Sequence, residues 1–590
     1  MKEKWMVAAK RADFQNIAEK FGIDQVTARI IRNRDVIGDQ AIQEYLHGGL
    51  EDLHEPELLK GCREAAELLA EKIRCGKKIR VIGDYDIDGV NATYILSKAL
   101  KRVGADADYE IPDRMKDGFG LNQNLVQLAY EEGIDTILTC DNGIAALDQI
   151  AYAKERGMTV IVTDHHEPFF EDTEKGRIYR LPDADVIIDP KQPGCGYPYK
   201  KLCGAAVAWK LVCELYRHLR ISQEETMDFL EFAAIATVGD VMDLDGENRI
   251  IVKEGLKRLP HTKNQGLRAL IGANGLADAE ITSYHIGFVL GPCINASGRL
   301  ETAKHSLRLL LSENREEATE LAARLKELND ARKQMTQEGV DQACRLIDTT
   351  DLSKDRVLVV YLPGCHESIA GIVAGKLRER YYRPVFVVTD AEKGAKGSGR
   401  SIEAYSMFEE MVRCGDVFTK YGGHPMAAGF SLEKEKIPEM RRRLNENCRL
   451  TPEDLTQKIM IDVPMPVDYI TEDLIRGFEV LEPFGKGNEK PLFAEKNLKL
   501  LSARVIGKNR NVIKFLVSNH TGAMIEALYF GDAEKFRAEI AEHYGEEETQ
   551  ELFWGKENKV YASFIYYPSV NEYQGRKTLQ IVIRNYKIGM

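Results

Sequence analysis

The sequence has no apolar run long enough to cross a membrane. No 18 consecutive residues are apolar, and the first residues, MKEKWMVAAKRADF, lack the apolar core of a signal peptide. The eleven cysteines form no C-x-x-C pair and no regular framework, which is typical of reduced thiols in a cytosol and not of a disulfide-stapled secreted domain. We therefore expect a soluble, cytoplasmic protein that does not act at a membrane.

The sequence also lacks an excess of basic charge. Its formal net charge is −12, which excludes a surface coated with basic patches but not a local basic groove on an acidic body. Hydrophobic residues make up 44% and charged residues 29% of the 590 residues, as in folded globular chains and unlike disordered ones. A chain of this length is expected to form about three to five domains.

The most informative stretch is VIGDYDIDG, residues 81–89. An apolar run ends there in three aspartates at alternate positions, Asp84, Asp86 and Asp88, and the pattern of an amphipathic helix follows. Open α/β sheets bind ligands beyond the C-terminal ends of their strands. Because closely spaced carboxylates repel one another, we expect a cation to neutralise them. Taken alone, the stretch is equally consistent with a solvated acidic turn.

Later apolar runs end in further metal-binding side chains. One ends in Asp141, the next in Asp164, His165 and His166, and a third in Asp240. We expect all of them at the same edge of one sheet as the three aspartates. A lone aspartate in such a place is usually a helix cap or a turn residue, but the joint occurrence on successive strands favours a two-cation site. Mixed carboxylate and imidazole ligands suit Mn²⁺, with Mg²⁺ and Zn²⁺ as alternatives.

These segments resemble the motifs of a known superfamily. DYDIDG, TCDNG, TDHHEP and VGD, in this order, are similar to the four motifs of the DHH phosphoesterases, and in particular to those of the RecJ nucleases. The resemblance implies that Asp86 and Asp88 each bind one of two Mn²⁺ ions, with Mg²⁺ also accepted, and that Asp141 bridges the ions. It further implies that His165 and Asp240 complete the second site.

The resemblance assigns roles to three more residues of these motifs. Asp84 is expected to ligate the first ion, although several relatives carry a histidine four residues before Asp86 instead. Asp164 is expected to orient a histidine as a partner behind the ligands. His166 is expected to face the substrate phosphate, so that Asp164 and His166 are the predicted catalytic residues.

The RecJ resemblance also implies a set of substrate-binding residues. It rests on the segments IPDRMKDGFGLN (111–122), IGFVLGPCINASGRLE (286–301), HESIAGIVA, GSGRS and GGHPMAAG. The residues predicted to bind substrate are Arg114, Asn295, Arg299, His366, Ser398, Arg400, Gly422, Gly423 and His424. The resemblance makes Ser398 and Arg400 the candidates for a terminal 5′-phosphate pocket, where a glycine-rich turn would let backbone amides approach the anion. An exposed basic turn or a glycine turn without function is the alternative for each segment alone.

Strand-like and helical runs alternate from residue 77 to about 245, which predicts a mainly parallel sheet with helices on both faces. The overall expectation is an α/β chain of five parts. They are a helical N-terminal lead-in at 1–75 that packs on the first domain, a DHH catalytic domain at 76–300, a helical connector at 301–350 of one long or two shorter helices, a smaller α/β DHHA1 domain at 351–450, and a C-terminal β-barrel of the OB-fold at 455–590.

The C-terminal region has the pattern of an all-β domain. Cations at 503–514 and near the end of the chain interleave with Phe515, Tyr573 and Tyr586, a combination that lines OB-fold grooves for single-stranded nucleic acid. A barrel that only packs on the core is equally consistent with these residues. The preceding LEPFGKGNEKPLF resembles the segment that introduces the RecJ OB domain, which favours the groove.

The resemblance implies a hydrolase that degrades single-stranded DNA from its 5′ end in DNA repair and recombination, with a helicase and single-strand-binding protein as candidate partners. One alternative is a nanoRNase or cyclic-dinucleotide phosphodiesterase, which shares the two-cation chemistry but lacks the β-rich tail. The other is a catalytically inactive relative that acts as a scaffold. Such a protein should have lost metal ligands, and this sequence retains all of them.

Overall fold

The computed structural model describes residues 3–114, 116–173, 176–507, 510–573 and 575–589. The strands are β1 (Glu3–Val7), β2 (Ile79–Ile82), β3 (Ala107–Glu110), β4 (Thr136–Cys140), β5 (Thr159–Thr163), β6 (Phe169–Thr173), β7 (Gly176–Arg180), β8 (Val186–Ile188), β9 (Leu358–Tyr361), β10 (Val385–Asp390), β11 (Ala395–Arg400), β12 (Lys420–His424), β13 (Ala427–Leu432), β14 (Gln457–Ile461), β15 (Val463–Pro464), β16 (Phe493–Ile506), β17 (Val512–Ser518), β18 (Met524–Phe530), β19 (Tyr561–Tyr573) and β20 (Arg576–Ile588).

The helices are α1 (Phe14–Phe21), α2 (Gln25–Asn33), α3 (Asp39–His47), α4 (Cys62–Arg74), α5 (Ile87–Arg102), α6 (Gln123–Glu131), α7 (Leu147–Glu155), α8 (Gly204–His218), α9 (Leu230–Gly239), α10 (Gly246–Arg258), α11 (Gln265–Ala273), α12 (Ser283–His285), α13 (Gly291–Leu300), α14 (Lys304–Leu311), α15 (Arg315–Thr349), α16 (Glu367–Tyr381), α17 (Met407–Arg413), α18 (Ile437–Asn447), α19 (Glu472–Gly477), α20 (Ala533–Tyr544) and α21 (Glu546–Trp554). Within the described ranges, none of them is both long and apolar enough to cross a membrane.

The chain forms two compact units. The first contains residues 50–457, and the second contains residues 4–49 together with 458–590. The expected fold, with a parallel-sheet domain, a smaller α/β domain and a C-terminal barrel, is confirmed. The domain limits drawn from the sequence remain predictions.

The first sheet is parallel throughout and has the strand order β3-β2-β4-β5-β8. Alternate residues of its strands enter two different cores: Val81 and Leu138 pack on one face, and Ile82 and Ile137 on the other. Burial on both faces explains why these strands are continuous apolar runs. The chain crosses from β3 over β2 to β4, so the strand order reverses between β2 and β4. Ligands of open α/β sheets bind at such a reversal, beyond the C-terminal strand ends.

The predicted connector, residues 301–350, contains two helices. The short helix α14 precedes the 35-residue helix α15, so the structure has the two-helix alternative, with one of the helices long. The second sheet has the order β12-β13-β11-β10-β9, in which only β9 and β10 are parallel. The segment GAKGSGRS was expected to be a turn, but it forms strand β11, where Ser398 is paired with Val387 on one side and Gly429 on the other. Packing requires a glycine at position 397, since a Cβ there would lie 2.2 Å from the ring of Phe430.

The second unit is built around a closed barrel. Strands β16, β17, β18, β20 and β19 pair in this order, and β16 pairs with β19 to close the ring. The expectation of an all-β region is wrong for residues 533–554, which form α20 and α21 between β18 and β19. These helices bury Phe536, Ile540 and Leu552 against the barrel core, so packing explains their apolar residues.

Residues 4–49 form one compact unit with the barrel, whereas the sequence predicted that they pack on the first domain. Ile30 and Ile42, from α2 and α3, share a core with Leu481 and Phe493 of the barrel unit. Arg34 Nη1 donates a hydrogen bond of 2.7 Å to the carboxylate of Asp462 in the same unit. An amphipathic pattern shows which face of a helix is buried but not what buries it, so the sequence could not assign the partner.

Two aromatic residues expected in a nucleic-acid groove belong to the barrel core. Phe515 is 1% exposed, and its ring centroid lies 5.1 Å from that of Phe536. The ring of Tyr586 lies 4.1 Å from the same residue. The prediction is therefore wrong for Phe515, because a strand alternates its faces and the sequence does not say which face is inside. Tyr586 is half-buried and packs against the same core. The side chain of Tyr573, and Lys508 in the basic segment, lie outside the described residues.

Candidate metal centre

The predicted metal ligands lie together at the edge of the first sheet. Their ligating atoms form three groups, each with all atoms within 4.8 Å of one another. The groups are Asp84, Asp86 and Asp141; Asp88, His165 and Asp240; and Asp141, His165 and His166. Asp141 belongs to two groups and so stands between them. His165 likewise belongs to two groups, so the three groups adjoin one another through Asp141 and His165.

The loop after β2 presents its carboxylates through the start of α5. Asp86 is the N-cap of this helix, and its Oδ1 accepts hydrogen bonds from the backbone N–H groups of Asp88 and Gly89. A Cβ on Gly89 would lie 2.5 Å from backbone atoms of Asp84. Only glycine therefore lets the helix approach the loop closely enough to keep the three aspartates together.

The N-terminus of α8 holds Asp88. The two oxygens of this carboxylate accept hydrogen bonds of 2.6 and 2.7 Å from the backbone N–H groups of Gly204 and Ala205. Unpaired N–H groups and the helix dipole both favour a negative charge at such an end. A Cβ on Gly204 would lie 2.6 Å from the Cβ of Asp141. The small residues at the start of α8 therefore position two of the predicted ligands.

Asp240 reaches the centre from a helix and not from a strand. The apolar run before it, expected to deliver it to the sheet edge as the other motifs do, is α9, and Asp240 is the C-cap of this helix. Its Oδ2 lies 3.8 Å from His165 Nε2. A short run that is apolar on every side reads equally as a buried strand or a buried helix. The ligand prediction did not depend on that choice.

The two histidines after β5 are in different environments. The side chain of His165 is 7% exposed, and its Nε2 lies 3.1 Å from Asp141 Oδ1 and 3.4 Å from Asp88 Oδ2. The side chain of His166 is 40% exposed, and its Nδ1 lies 2.7 Å from Asp164 Oδ1. Asp164 also accepts hydrogen bonds from three backbone N–H groups. His165 therefore points into the cluster, whereas His166 is held at its rim.

The electrostatics of the cluster favour cations. Burial, and then the charge of Asp86, raise the pKa of Asp84 to about 8. Burial, and again Asp86, raise that of Asp88 to about 6. Burial and the neighbouring carboxylates hold the pKa of Asp141 well above its usual range. Among the described residues, nothing forms a hydrogen bond with Asp84 Oδ2 or Asp141 Oδ1, although both are buried. Buried, repelling and unpaired carboxylate oxygens fit divalent cations such as Mn²⁺ or Mg²⁺.

The histidines complement this field. Although burial opposes the effect, Asp164 raises the pKa of His166 to about 9. Conversely, His166 and the backbone donors outweigh burial and lower the pKa of Asp164 to about 2. Burial, and then the charge of His166, lower the pKa of His165 to about 3. His165 is thus neutral and able to ligate a cation, and His166 is a cation beside the site.

The segment 111–122 is fastened to the centre. The N–H of Gly120 donates to Asp84 Oδ1 at 3.0 Å, and the N–H of Leu121 donates to Asn142 Oδ1 at 3.1 Å. This places Phe119, which is 53% exposed, edge-on to the ring of His166 with 5.4 Å between centroids. The sequence reasoning assigned no role to Asn142 or Phe119. The position of Asn142 directly after Asp141 was the only available signal.

Two predicted substrate-binding residues lie between the centre and the second domain. The carboxamide oxygen of Asn295 accepts a hydrogen bond from the N–H of Ile87, so this side chain supports the start of α5. Arg299 Nη1 donates to the backbone carbonyl of Ser368 at 3.0 Å. Burial, and then the charge of Arg114, lower the pKa of Arg299 to about 10. The guanidinium of Arg114 itself lies 4.8 Å from the ring centroid of Tyr85.

One face of the second sheet carries most of the remaining predicted residues. Three rows cross β11, β13 and β12 on this face: Lys396, Ser431 and Lys420; Ser398, Gly429 and Gly422; and Arg400, Ala427 and His424. A Cβ on Gly422 or Gly429 would meet no atom within 4 Å, so the middle row is open. A cavity of about 350 Å³ lies here, lined by residues that include Arg114, Lys396, Lys420 and Gly422.

Ser398 and Arg400 lie at the α16 side of this face. A Cβ on Gly371 of α16 would be 3.0 Å from Arg400 Nη2 and 3.2 Å from Ser398 Oγ, so the glycine leaves room for both. Burial and nearby arginines lower the pKa of Arg400. His366 caps α16, where its Nδ1 accepts from the N–H of Ser368. Gly423 and His424, which follow Gly422 in β12, are exposed.

The chain matches three family profiles. They are the DHH family N-terminal domain over residues 78–237, the DHHA1 domain over 354–450 and the RecJ OB domain over 461–585. The single-stranded-DNA-specific exonuclease RecJ of Escherichia coli (strain K12) is 32% identical over 581 residues, which cover 94% of this chain and 95% of that protein. The chain belongs to the RecJ family. The exonuclease RecJ of Bacillus subtilis (strain 168) is 38% identical over 89% of this chain, and the chain spans 65% of that longer relative.

Solved structures of the family carry divalent cations. RecJ from Thermus thermophilus in complex with Mn²⁺ matches with a TM-score of 0.81 and 27% identity, over 99% of this chain and 80% of that one. The same protein in complex with Mg²⁺ matches with a TM-score of 0.76 and 26% identity, over 99% and 78%. Both ions therefore occur in RecJ structures, which agrees with the donor set of this chain.

Proposed function

We propose that the chain hydrolyses phosphodiester bonds of single-stranded DNA from the 5′ end, using two divalent cations. The observation that carries the proposal is the pairing of two opposite fields in one unit. A cluster of buried carboxylates at the sheet edge lies near half-buried arginines, and the charges of both Asp86 and Arg400 act on Arg299. A DNA strand compensates both charge clusters, because its phosphates neutralise the arginines and approach the cations bound by the carboxylates.

The donor set divides naturally between two ions. Asp84 and Asp86 would hold the first, Asp88, His165 and Asp240 would hold the second, and Asp141 would bridge them. We assign Mn²⁺ to both sites, with Mg²⁺ as the alternative. When bound, such a pair polarises the phosphate and activates a water for in-line attack.

The chain's own residues prepare the substrate for that attack. His166, kept protonated by Asp164, donates a hydrogen bond to an oxygen of the scissile phosphate. Phe119 lies beside it and packs against the nucleotide that is being cleaved. Together they fix the position of the phosphate relative to the carboxylate cluster, which is the larger part of catalysis in phosphoryl transfer.

The polarity follows from the second domain. Ser398 and Arg400, on the sheet face beside Gly371, bind the terminal 5′-phosphate, and Arg114 and Arg299 hold the phosphates between this pocket and the centre. His366, Gly422, Gly423 and His424 are proposed to complete the contacts to the terminal nucleotide. A strand anchored by its 5′ end is cut at a fixed distance from that end, which makes the enzyme an exonuclease.

The barrel unit and the cellular setting extend this proposal. We assign further binding of single-stranded DNA to the barrel, through residues other than its buried Phe515. A helicase and single-strand-binding protein are the proposed partners in DNA repair and recombination, and the cytoplasm is the proposed location.

The test uses a 3′-labelled, 5′-phosphorylated single-stranded DNA of a few tens of nucleotides with Mn²⁺. We expect a ladder that shortens from the 5′ end and no products from a blunt duplex. Rapid cleavage of dinucleotides with an untouched oligomer would assign the chain to the dinucleotide-hydrolysing branch of the superfamily. Binding without cleavage of either substrate would favour a scaffold.

A further inference from the structure

A two-stranded hairpin projects from the segment that carries the catalytic histidine. Strands β6 and β7 pair with each other and form a sheet separate from the parallel one. The hairpin begins at Phe169, three residues after His166. An isolated two-stranded hairpin is at best marginally stable in water. Even so, it exposes large apolar side chains, with Phe169 48%, Ile178 53% and Tyr179 37% exposed.

The base of the hairpin is anchored at the edge that holds the metal centre. Pro168 and Pro182, which flank it, are both buried. The N–H of Asp164 donates to the carbonyl of Ile188 in β8 at 3.0 Å. Glu167 Oε1 lies 3.6 Å from Lys191 Nζ, after the same strand. The hairpin therefore starts beside the carboxylate cluster.

One face of the hairpin combines aromatic rings with a cation. Phe170 lies directly opposite Tyr179, so the two share a face, and Arg177 is on that face because strand residues two apart point the same way. The ring centroids of Phe170 and Tyr179 are 6.1 Å apart, and the guanidinium of Arg177 is 3.7 Å from the ring centroid of Phe170. We call Phe170, Arg177 and Tyr179 the stacking face.

We propose that the stacking face binds bases of a single DNA strand where the strand passes the His166 side of the metal centre. The proposal rests on the function proposed above. Aromatic rings with an arginine alongside are what sequence-tolerant single-strand binding uses, because every base has a π-face. A protein partner is the other class of occupant that exposed apolar residues could serve. The direct continuity of the hairpin with His166 favours the substrate.

The net charge of the hairpin predicts how it binds DNA. Residues 169–180 contain three acidic and three basic residues, so the segment has no net charge to attract a polyanion. Its contribution should therefore come from stacking and should persist at salt concentrations that weaken phosphate contacts. This salt dependence distinguishes the stacking face from Arg114, Arg299 and Arg400, whose contribution to binding should fall steeply with salt.

The experiment compares the two faces of the same strand. Phe170→Ala and Tyr179→Ala remove rings from the stacking face, Tyr179→Phe keeps the ring, and Ile178→Ala removes a more exposed side chain from the opposite face. Each variant is assayed for KM and kcat with Mn²⁺ on a 5′-phosphorylated oligonucleotide of about 20 nucleotides and on a 5′-phosphorylated dinucleotide, at low and high salt.

We expect Phe170→Ala and Tyr179→Ala each to raise KM for the long strand about tenfold, at both salt concentrations, with kcat and dinucleotide turnover unchanged. Tyr179→Phe and Ile178→Ala should behave as the wild type. Equal KM in all variants would overturn the proposal and point to a protein partner, and equal losses in all four, or lost dinucleotide turnover, would reduce the hairpin to a structural role. A wild type that does not degrade the long strand would refute the proposed function itself.

Discussion

Replacing Asp84 by asparagine tests whether the carboxylate cluster sacrifices stability for cation binding. Burial and Asp86 raise the pKa of Asp84 from 3.8 to about 8, so the cation-free folded protein keeps a proton that the unfolded chain releases near pH 4. Such a group stabilises the fold below its unfolded pKa, and the contribution is lost as the pH rises through the folded pKa. The cation-free wild type should therefore lose stability between about pH 4 and pH 8.

The size of the effect follows from the two pKa values. Their difference corresponds to an upper limit of roughly 5–6 kcal/mol. The amide oxygen of the Asp84→Asn variant can still accept from Gly120, and its new NH₂ group faces Asp86 and Asp141, whose ligating oxygens lie within 4.8 Å. For a unit the size of residues 50–457, 1 kcal/mol corresponds to roughly 1 °C in Tm. The cation-free variant should melt a few degrees above the wild type at pH 8.

The assay is calorimetric melting with a chelator at pH 5.5 and pH 8, followed by the same scans with excess Mn²⁺. The difference between variant and wild type should be clearly smaller at pH 5.5 than at pH 8, because only part of the pH-dependent loss of the wild type has occurred at the lower pH. Mn²⁺ should raise the Tm of the wild type and raise that of Asp84→Asn much less. The reasoning is refuted if the cation-free variant is no more stable than the wild type at pH 8, or if both gain equally from Mn²⁺.

Three other substitutions give distinct outcomes. Asp141→Ala should abolish cleavage, because the bridging carboxylate serves both ions, and near wild-type turnover would contradict the metal assignment. Arg400→Ala should lower the ratio of 5′-phosphorylated to unphosphorylated substrate turnover about tenfold or more, whereas Lys434→Ala, in the same domain, should leave it unchanged. Glu247→Ala should destabilise the first unit by roughly 3–5 kcal/mol in chemical denaturation, since it leaves the buried Lys210, now 2.8 Å from Glu247 Oε1, without its counter-charge. A loss below about 1 kcal/mol would show that the pair is dispensable.

The parts of the fold that the sequence predicts are those with a local physical signature. Apolar runs that end in Asp84 and Asp141 identify parallel strands and place their carboxylates at one edge, because a buried strand must be apolar on both faces. The glycine after Asp88 indicates the tight strand–helix turn, and the structure shows what a Cβ there would strike. The predicted ligands that follow these strands lie within one cluster for the same reason, and Asp240 joins them from the end of a helix.

What the sequence could not predict depends on contacts far apart in the chain. The apolar run before Asp240 satisfies a strand or a helix, and only the packing of α9 between its neighbours selects the helix. Ile30 lies on the apolar face of an amphipathic helix. Its partners in the barrel unit are hundreds of residues away in the chain, and the pattern of its own segment does not identify them. The alternating pattern of β17 is consistent with Phe515 on either face of the strand. Asn142 gains its role only when the loop at Leu121 folds back onto it.

The central claim is that this sheet edge binds two divalent cations through a shared carboxylate, and counting bound ions tests it most directly. Equilibrium dialysis against Mn²⁺ at neutral pH should give two ions per wild-type chain and at most one for Asp141→Asn. In the variant an amide replaces the bridge at a left-handed backbone position, φ 61°, that asparagine tolerates. A wild-type chain that binds no Mn²⁺, or a variant that still binds two ions with unchanged affinity, would contradict the account.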